Sequence, residues 1–163
     1  MGSAAFLDLA NTVIEDAAGA GAAVIVNDRA DVAALSRAHG LHVGQDDLAP
    51  RDARKVIGDE PLLGLSTHTR DQWETAATEP VCYIAIGPVF GTATKATGYE
   101  AVGLETVRRA SDAAAQAGLP AVAIGGITRH NAYTTAAGII TVSSRSMNSH
   151  HGARCDETTR AAT

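Results

Sequence analysis

Short, nearly unbroken apolar runs recur through this chain about every 20 residues, separated by segments of helical character. The runs are Ala22–Val26, Leu41–Val43, Leu62–Leu65, Val81–Ile86, Ala121–Ile124 and, less cleanly, Ile139–Val142. A strand with one face in water alternates apolar and polar residues, whereas a parallel strand covered by helices reads as a continuous apolar run. Between the runs, Ala30–Ala38, Pro50–Ile57, Arg70–Thr78, Gly103–Ala117 and Thr128–Ala136 read as helices. Ahead of the first run, Ala4–Ala18 places Phe6, Leu9, Val13 and Ala17 on one face and predicts an amphipathic helix.

Two architectures share this βα rhythm. A doubly wound sheet usually carries a glycine-rich phosphate loop after its first strand, and no such fingerprint follows Val26. Instead polar residues follow nearly every strand: Asn27-Asp28-Arg29, Gly44-Gln45-Asp46-Asp47, Ser66-Thr67-His68-Thr69, the loop running to Lys95, and Gly125-Gly126. Polar groups offered by many strand ends to one mouth describe a (β/α)8 TIM barrel. The chain predicts an α/β fold of this type, incomplete, with about six strands over residues 1–144. Abundant Ala and Gly, with only 4% aromatics, suit close packing of helices on a sheet. From Arg145 onward apolar periodicity stops, and residues 145–163 read as a disordered tail.

The formal charge of −5, without a basic stripe interleaved with aromatics, argues against a nucleic-acid partner. No apolar stretch of about 18 residues is present to span a membrane, and the N-terminus does not read as a signal peptide. Cys82 lies in an apolar run and reads as a reduced, buried thiol, while Cys155 lies in the polar tail. A disulfide framework is not expected, and a reducing cytoplasm fits.

Asp28 and Asp47 follow adjacent strands, whose axes in a sheet lie about 4.8 Å apart. Two carboxylates, with open positions for water and phosphate oxygens, commonly hold Mg²⁺. Equally, Asp28 could cap the Ala30 helix, and Asp46 or Asp47 could start the next one. Gly87–Lys95 supplies hydroxyls, an ammonium and exposed backbone N–H groups, a combination able to wrap a phosphate. A long loop with Thr and Lys facing water is the alternative. Gly125-Gly126 allows close approach to the backbone before a helix N-terminus that favours an anion, or simply makes a tight βα turn. Ser66, Thr67 and Thr69 could donate to a phosphate or cap a helix. His42 reads as a core or mouth residue, and His68 as a possible general base or an ordinary loop histidine. No function is assigned to His150-His151.

At these motifs the chain resembles the thiamine-phosphate synthase family. The matching strings are Val26-Asn27-Asp28-Arg29, His42-Val43-Gly44-Gln45-Asp46-Asp47 and Gly64-Leu65-Ser66-Thr67-His68-Thr69, then Gly87-Pro88-Val89-Phe90 running to Thr92-Ala93-Thr94-Lys95, and Ala123-Ile124-Gly125-Gly126-Ile127-Thr128. The likeness covers roughly Phe6 to Ser144. It implies that Asn27 contacts a pyrimidine substrate and that Asp28 and Asp47 ligate Mg²⁺. Ser66 and Lys95 would address the pyrimidine diphosphate, with Lys95 catalytic. Thr92, Ala93, Thr94 and Gly126 would hold a thiazole phosphate, with Val142-Ser143 as the local candidate for a last phosphate contact.

The resemblance also implies two strands ahead of the Ala4–Ala18 helix, the second ending in a Gln-Leu-Arg-x-Lys-like string that grips the diphosphate. That string has no counterpart here, so reduced activity and self-association through open sheet edges are expected. Two rivals remain at this point. One is the related thiazole tautomerase, against which the Asp-Asp and Thr-Ala-Thr-Lys strings argue. The other is a non-catalytic fragment that binds a phosphate or a partner chain.

Overall fold

The computed structural model describes residues 1–91 and 99–132. Helices and strands alternate as α1 (Ser3–Ala18), β1 (Ile25–Asn27), α2 (Ala30–Ser36), β2 (Gly40–Val43), α3 (Pro50–Ile57), β3 (Leu62–Thr67), α4 (Arg70–Ala76), β4 (Tyr83–Ile86), α5 (Gly103–Gln116) and β5 (Ala121–Ala123). All strand pairings are parallel and follow chain order, β1-β2-β3-β4-β5. A doubly wound sheet reverses its strand order at a switch point, and none occurs here. An unreversed order built from right-handed crossovers keeps the helices on one side, as in part of a TIM barrel. The expected strand over Ile139–Val142, residues 133–136 of the expected helix and the 145–163 tail lie outside the described residues.

Parallel partners in register share a face, and successive residues alternate between faces. One face carries Val26, Leu41, Val43, Leu63, Leu65, Ile84 and Ile86, all buried. These side chains form one core with Ala30, Ala33, Ala53, Trp73, Ala76, Val107, Ala110 and Ala114 of the helices. The alanines let each helix axis approach the sheet closely, which is what the Ala-rich composition provides. Burying a side chain such as Leu41 contributes roughly 1.5–3 kcal/mol.

Helix α1 packs on α2, but with a different face from the one its sequence suggested. Ala10 is buried and Phe6, Leu7 and Ile14 pack on the core, whereas Leu9 and Val13 are exposed. Leu7, Ala10 and Ile14 repeat at helical spacing as well as the expected set does, and contact with α2 selects between the two stripes.

At the N-terminal end of the sheet Arg54 ties several turns together. Its Nη1 donates to the carbonyls of Pro61 (2.7 Å) and Gly58 (3.0 Å), and its Nε donates to Pro80 O (3.1 Å). The Cys82 sulfur accepts from Arg54 Nη2 and Leu63 N. Cys82 is half-buried, not fully buried as its apolar run suggested. Cys155 lies outside the described residues.

Candidate active site

The other face of the sheet carries polar side chains toward the C-terminal strand ends. Asn27 pairs with His42, His42 with Gly64, and Gly64 with Tyr83, so these positions form one row across four strands. Ser66 and Ala85 begin the next row toward the C-terminal ends. Helices cover the opposite face, so polar groups here avoid the desolvation cost that burial under a helix would impose.

Asn27 is exposed at the end of β1. Asp28 follows in the left-handed region (φ 65°), its N–H donating to His42 O at 2.8 Å. A non-glycine residue in that region costs free energy, and such residues cluster at functional sites. Asp28 and Asp47 line one open cavity of about 510 Å³, together with Arg29, Asp31, Asp46 and Leu48. Neither carboxylate caps a helix. The α2 N-cap is Arg29 and the α3 N-cap is Ala49, both without a side-chain cap. Asp47 Oδ2 instead accepts from Gly44 N at 2.7 Å, which fixes the turn after β2.

Asp31, on the same rim, is engaged by Arg29, whose Nε donates to Oδ1 at 2.8 Å. That hydrogen bond is the main reason its pKa is pushed down to about 2. No cluster of three or more His, Cys, Asp or Glu side chains able to hold a metal occurs among the described residues.

Ser66 does not cap α4. Thr69 does, accepting from Gln72 N (3.4 Å) while Gln72 Oε1 accepts from Thr69 N (3.2 Å). Thr67 is buried and donates to Ala85 O at 3.0 Å. Ser66 Oγ meets His42 Nε2 at 2.9 Å, and His42 Nδ1 meets the Tyr83 hydroxyl at 3.0 Å. The two rings stack with centroids 5.5 Å apart. Burial raises the Tyr83 pKa, so the phenol keeps its proton at neutral pH. Gln45 Nε2 donates to Ser66 O at 2.6 Å, tying the β2 loop to β3. Sequence reading assigned nothing to Tyr83 or Gln45. A tyrosine opening an apolar strand reads as core, and only the register shows that it faces His42.

Beyond β4 the chain continues alongside β5: Val89 N donates to Ile124 O (2.9 Å) and Phe90 N to Gly125 O (3.1 Å). Gly125 and Gly126 have φ values of 92° and 68°. A Cβ at Gly125 would lie 2.7 Å from Pro88 Cα, and one at Gly126 would lie 2.6 Å from Phe90 O. Both glycines are therefore required by the neighbouring loop stem as well as by the turn. His68 Nδ1 donates to Gly87 O, and its ring stacks on Tyr99 at 3.8 Å. His68 thus links the two sides of the loop through Nδ1 and its ring face. Thr92, Ala93, Thr94, Lys95, Val142 and Ser143 lie outside the described residues.

Helices on one face of an unreversed parallel sheet, and polar side chains at the C-terminal strand ends of the other, define a barrel-type α/β protein with its site at the mouth. A family model described as thiamine monophosphate synthase matches residues 1–147, and the chain belongs to that family. Among curated relatives, the thiamine-phosphate synthase of Koribacter versatilis is 46% identical over 108 residues, 66% of this chain and 50% of that protein. That of Pelotomaculum thermopropionicum is 43% identical over 140 residues, 83% of this chain and 55% of that protein. The solved structure of thiamine phosphate pyrophosphorylase from Pyrococcus furiosus superposes with a TM-score of 0.74 at 26% identity, covering 83% of this chain and 62% of that one. The chain spans about half the length of the curated relatives it matches. These relatives carry the synthase name, which does not favour the tautomerase rival.

Proposed function

We propose that this chain carries thiamine-phosphate synthase chemistry: hydroxymethylpyrimidine diphosphate and thiazole phosphate are joined to give thiamine phosphate and diphosphate. The C–O bond from the pyrimidine methylene carbon to the diphosphate breaks, and the diphosphate leaves with the electron pair. The thiazole nitrogen then forms the new C–N bond to that carbon. No side-chain nucleophile is required, and holding the two substrates together supplies proximity. The observation that carries this reading is the shared cavity of Asp28 and Asp47 at adjacent strand ends, within a family match over residues 1–147.

Asp28 and Asp47 offer hard oxygen donors, and a pair of carboxylates completed by water and phosphate oxygens suits Mg²⁺ better than a closed protein cage. When bound, the ion supplies positive charge that stabilises the departing diphosphate. Asn27 would contact the pyrimidine, and Ser66 and Lys95 the diphosphate. Thr92, Ala93, Thr94 and Gly126 would hold the thiazole phosphate, with Val142 and Ser143 completing its site. The Lys95 ammonium would oppose negative charge growing on the leaving group.

We place the reaction in the cytoplasm, because substrates bearing phosphates do not cross a bilayer unaided. No described helix is long and apolar enough to cross a membrane. Self-association is proposed through the sheet edges: β1 and β5 each pair on one side only among the described residues.

Two measurements test the reading. Asp28→Ala and Asp47→Ala should each weaken Mg²⁺ binding in the presence of pyrimidine diphosphate by at least about tenfold. Unchanged calorimetric affinity in both variants would sink the metal assignment. Thiamine phosphate formation, assayed alone and after grafting the two N-terminal strands of a relative, should be Mg²⁺-dependent and lowered far more than stability by Lys95→Ala.

A further inference from the structure

The row His42–Gly64–Tyr83, with Ser66 in the next row, contains a chain of polar contacts that substrate binding, as proposed, does not require of Tyr83 or His42. Tyr83 and His42 come from strands separated by β3, and the only β3 residue between them in the register is Gly64. A Cβ there would lie 2.1 Å from Tyr83 Cζ and 2.5 Å from His42 Nδ1. Glycine therefore opens the gap through which the two rings meet, giving the 3.0 Å Tyr83–His42 contact and leaving Nε2 directed at Ser66 Oγ, 2.9 Å away.

The direction of these hydrogen bonds matters for Ser66. A hydroxyl has one proton to give. If His42 Nε2 accepts it, none remains for an anion. If Nε2 carries hydrogen and donates to Ser66 Oγ, the serine proton is free to point at an anionic oxygen. In neutral imidazole one nitrogen donates and the other accepts, so the choice is made at Nδ1. A phenol that stays protonated donates well to Nδ1, and it selects the Nε2–H tautomer.

We propose that Tyr83 is a positioning residue: it fixes the tautomer of neutral His42, which in turn directs the Ser66 hydroxyl proton away from the imidazole and toward a bound diphosphate. The inference rests on the proposed role of Ser66 toward the diphosphate. Neither Tyr83 nor His42 needs to touch the reacting atoms for this to hold.

The test uses the whole chain, with the Ser66→Ala and Tyr83→Phe variants and their double mutant. Phe keeps the ring that stacks on His42, and thermal melts check that it folds. Long-range ¹H–¹⁵N spectra at neutral pH should show His42 as the Nε2–H tautomer, with the Nδ1–H form appearing in Tyr83→Phe. Calorimetry with inorganic pyrophosphate and Mg²⁺ should give a loss of about two- to tenfold in each single variant, the size of one hydrogen bond. The double mutant should bind as Ser66→Ala does, because Tyr83 acts only through the serine. A His42 tautomer unchanged by Tyr83→Phe, or losses that multiply in the double mutant, would overturn the proposal. If no protein of the set binds pyrophosphate, the diphosphate reading fails, and the tautomer spectra still decide whether Tyr83 orients the serine.

Discussion

The two faces of the sheet are made by the same strands and differ in almost everything else. On the helix-covered face Leu41, Leu63, Ile84 and Ile86 are fully buried, with Val26 and Leu65 nearly so. On the open face the alternate positions are Asn27, His42, Ser66 and Tyr83, of which the last three meet at 2.9–3.0 Å, with Val122 and Ile124 exposed beside them. A single-residue step along each strand therefore separates stability from chemistry. The face that packs admits a polar side chain only where it is satisfied, as Thr67 is by Ala85 O, and the open face uses a small residue, Gly64, where two polar side chains meet.

The contrast is broken most severely from the covered side. Leu41→Ala should cost about 2–5 kcal/mol, because a fully buried leucine on a central strand leaves a cavity that neighbouring strands cannot close. Urea unfolding measures the loss, and a change below about 1 kcal/mol would mean that this face is looser than its burial indicates.

Gly64→Ala tests the open face in the opposite sense, by adding an atom instead of removing several. Its Cβ would lie 2.1 Å from Tyr83 Cζ, so the ring must move, at an expected cost of about 1–3 kcal/mol. The His42 and Tyr83 NMR resonances should shift together. Unperturbed rings and unchanged stability would show that the two side chains do not depend on the glycine gap.

The smallest effect is expected at the rim, where Arg29 and Asp31 pair in solvent. Asp31 has a folded pKa lowered to about 2 from an ordinary 3.8. The sign follows: its contribution is present above about pH 4 and is lost as pH falls through the folded value. Asp31→Asn should therefore lower the melting temperature slightly above about pH 4, with the two proteins converging near pH 2, so that the acid side of the profile is flattened. A large loss at neutral pH would mean that the pair supports the fold instead of the rim.

Much of this was legible from residue order. Pro50–Ile57 forms a helix over that range, and the apolar runs beginning at Leu41, Leu62 and Ala121 become parallel strands with boundaries shifted by one or two residues. Asp28 and Asp47 share a cavity, as expected of residues at adjacent strand ends. The capping alternatives for them did not materialise, since both helix N-caps fall two residues or one beyond, at Ala49 and Arg29. Leu9 and Val13 misled because the α1 sequence holds two overlapping apolar stripes, and only contact with α2 buries one of them. Tyr83 drew no role from the sequence because strand periodicity says which residues share a face without saying what lies opposite.

By itself the sequence determined the α/β alternation, the parallel strands and the polar strand ends, because burial under helices and local turn chemistry act over a few residues. Tertiary structure alone decided that Tyr83 meets His42, that Arg54 clasps the turns at the opposite end, and that Gly125 and Gly126 must admit Pro88 and Phe90. Those contacts join residues far apart in the chain, and their geometry depends on which strands lie side by side, which the pattern of a single strand does not specify.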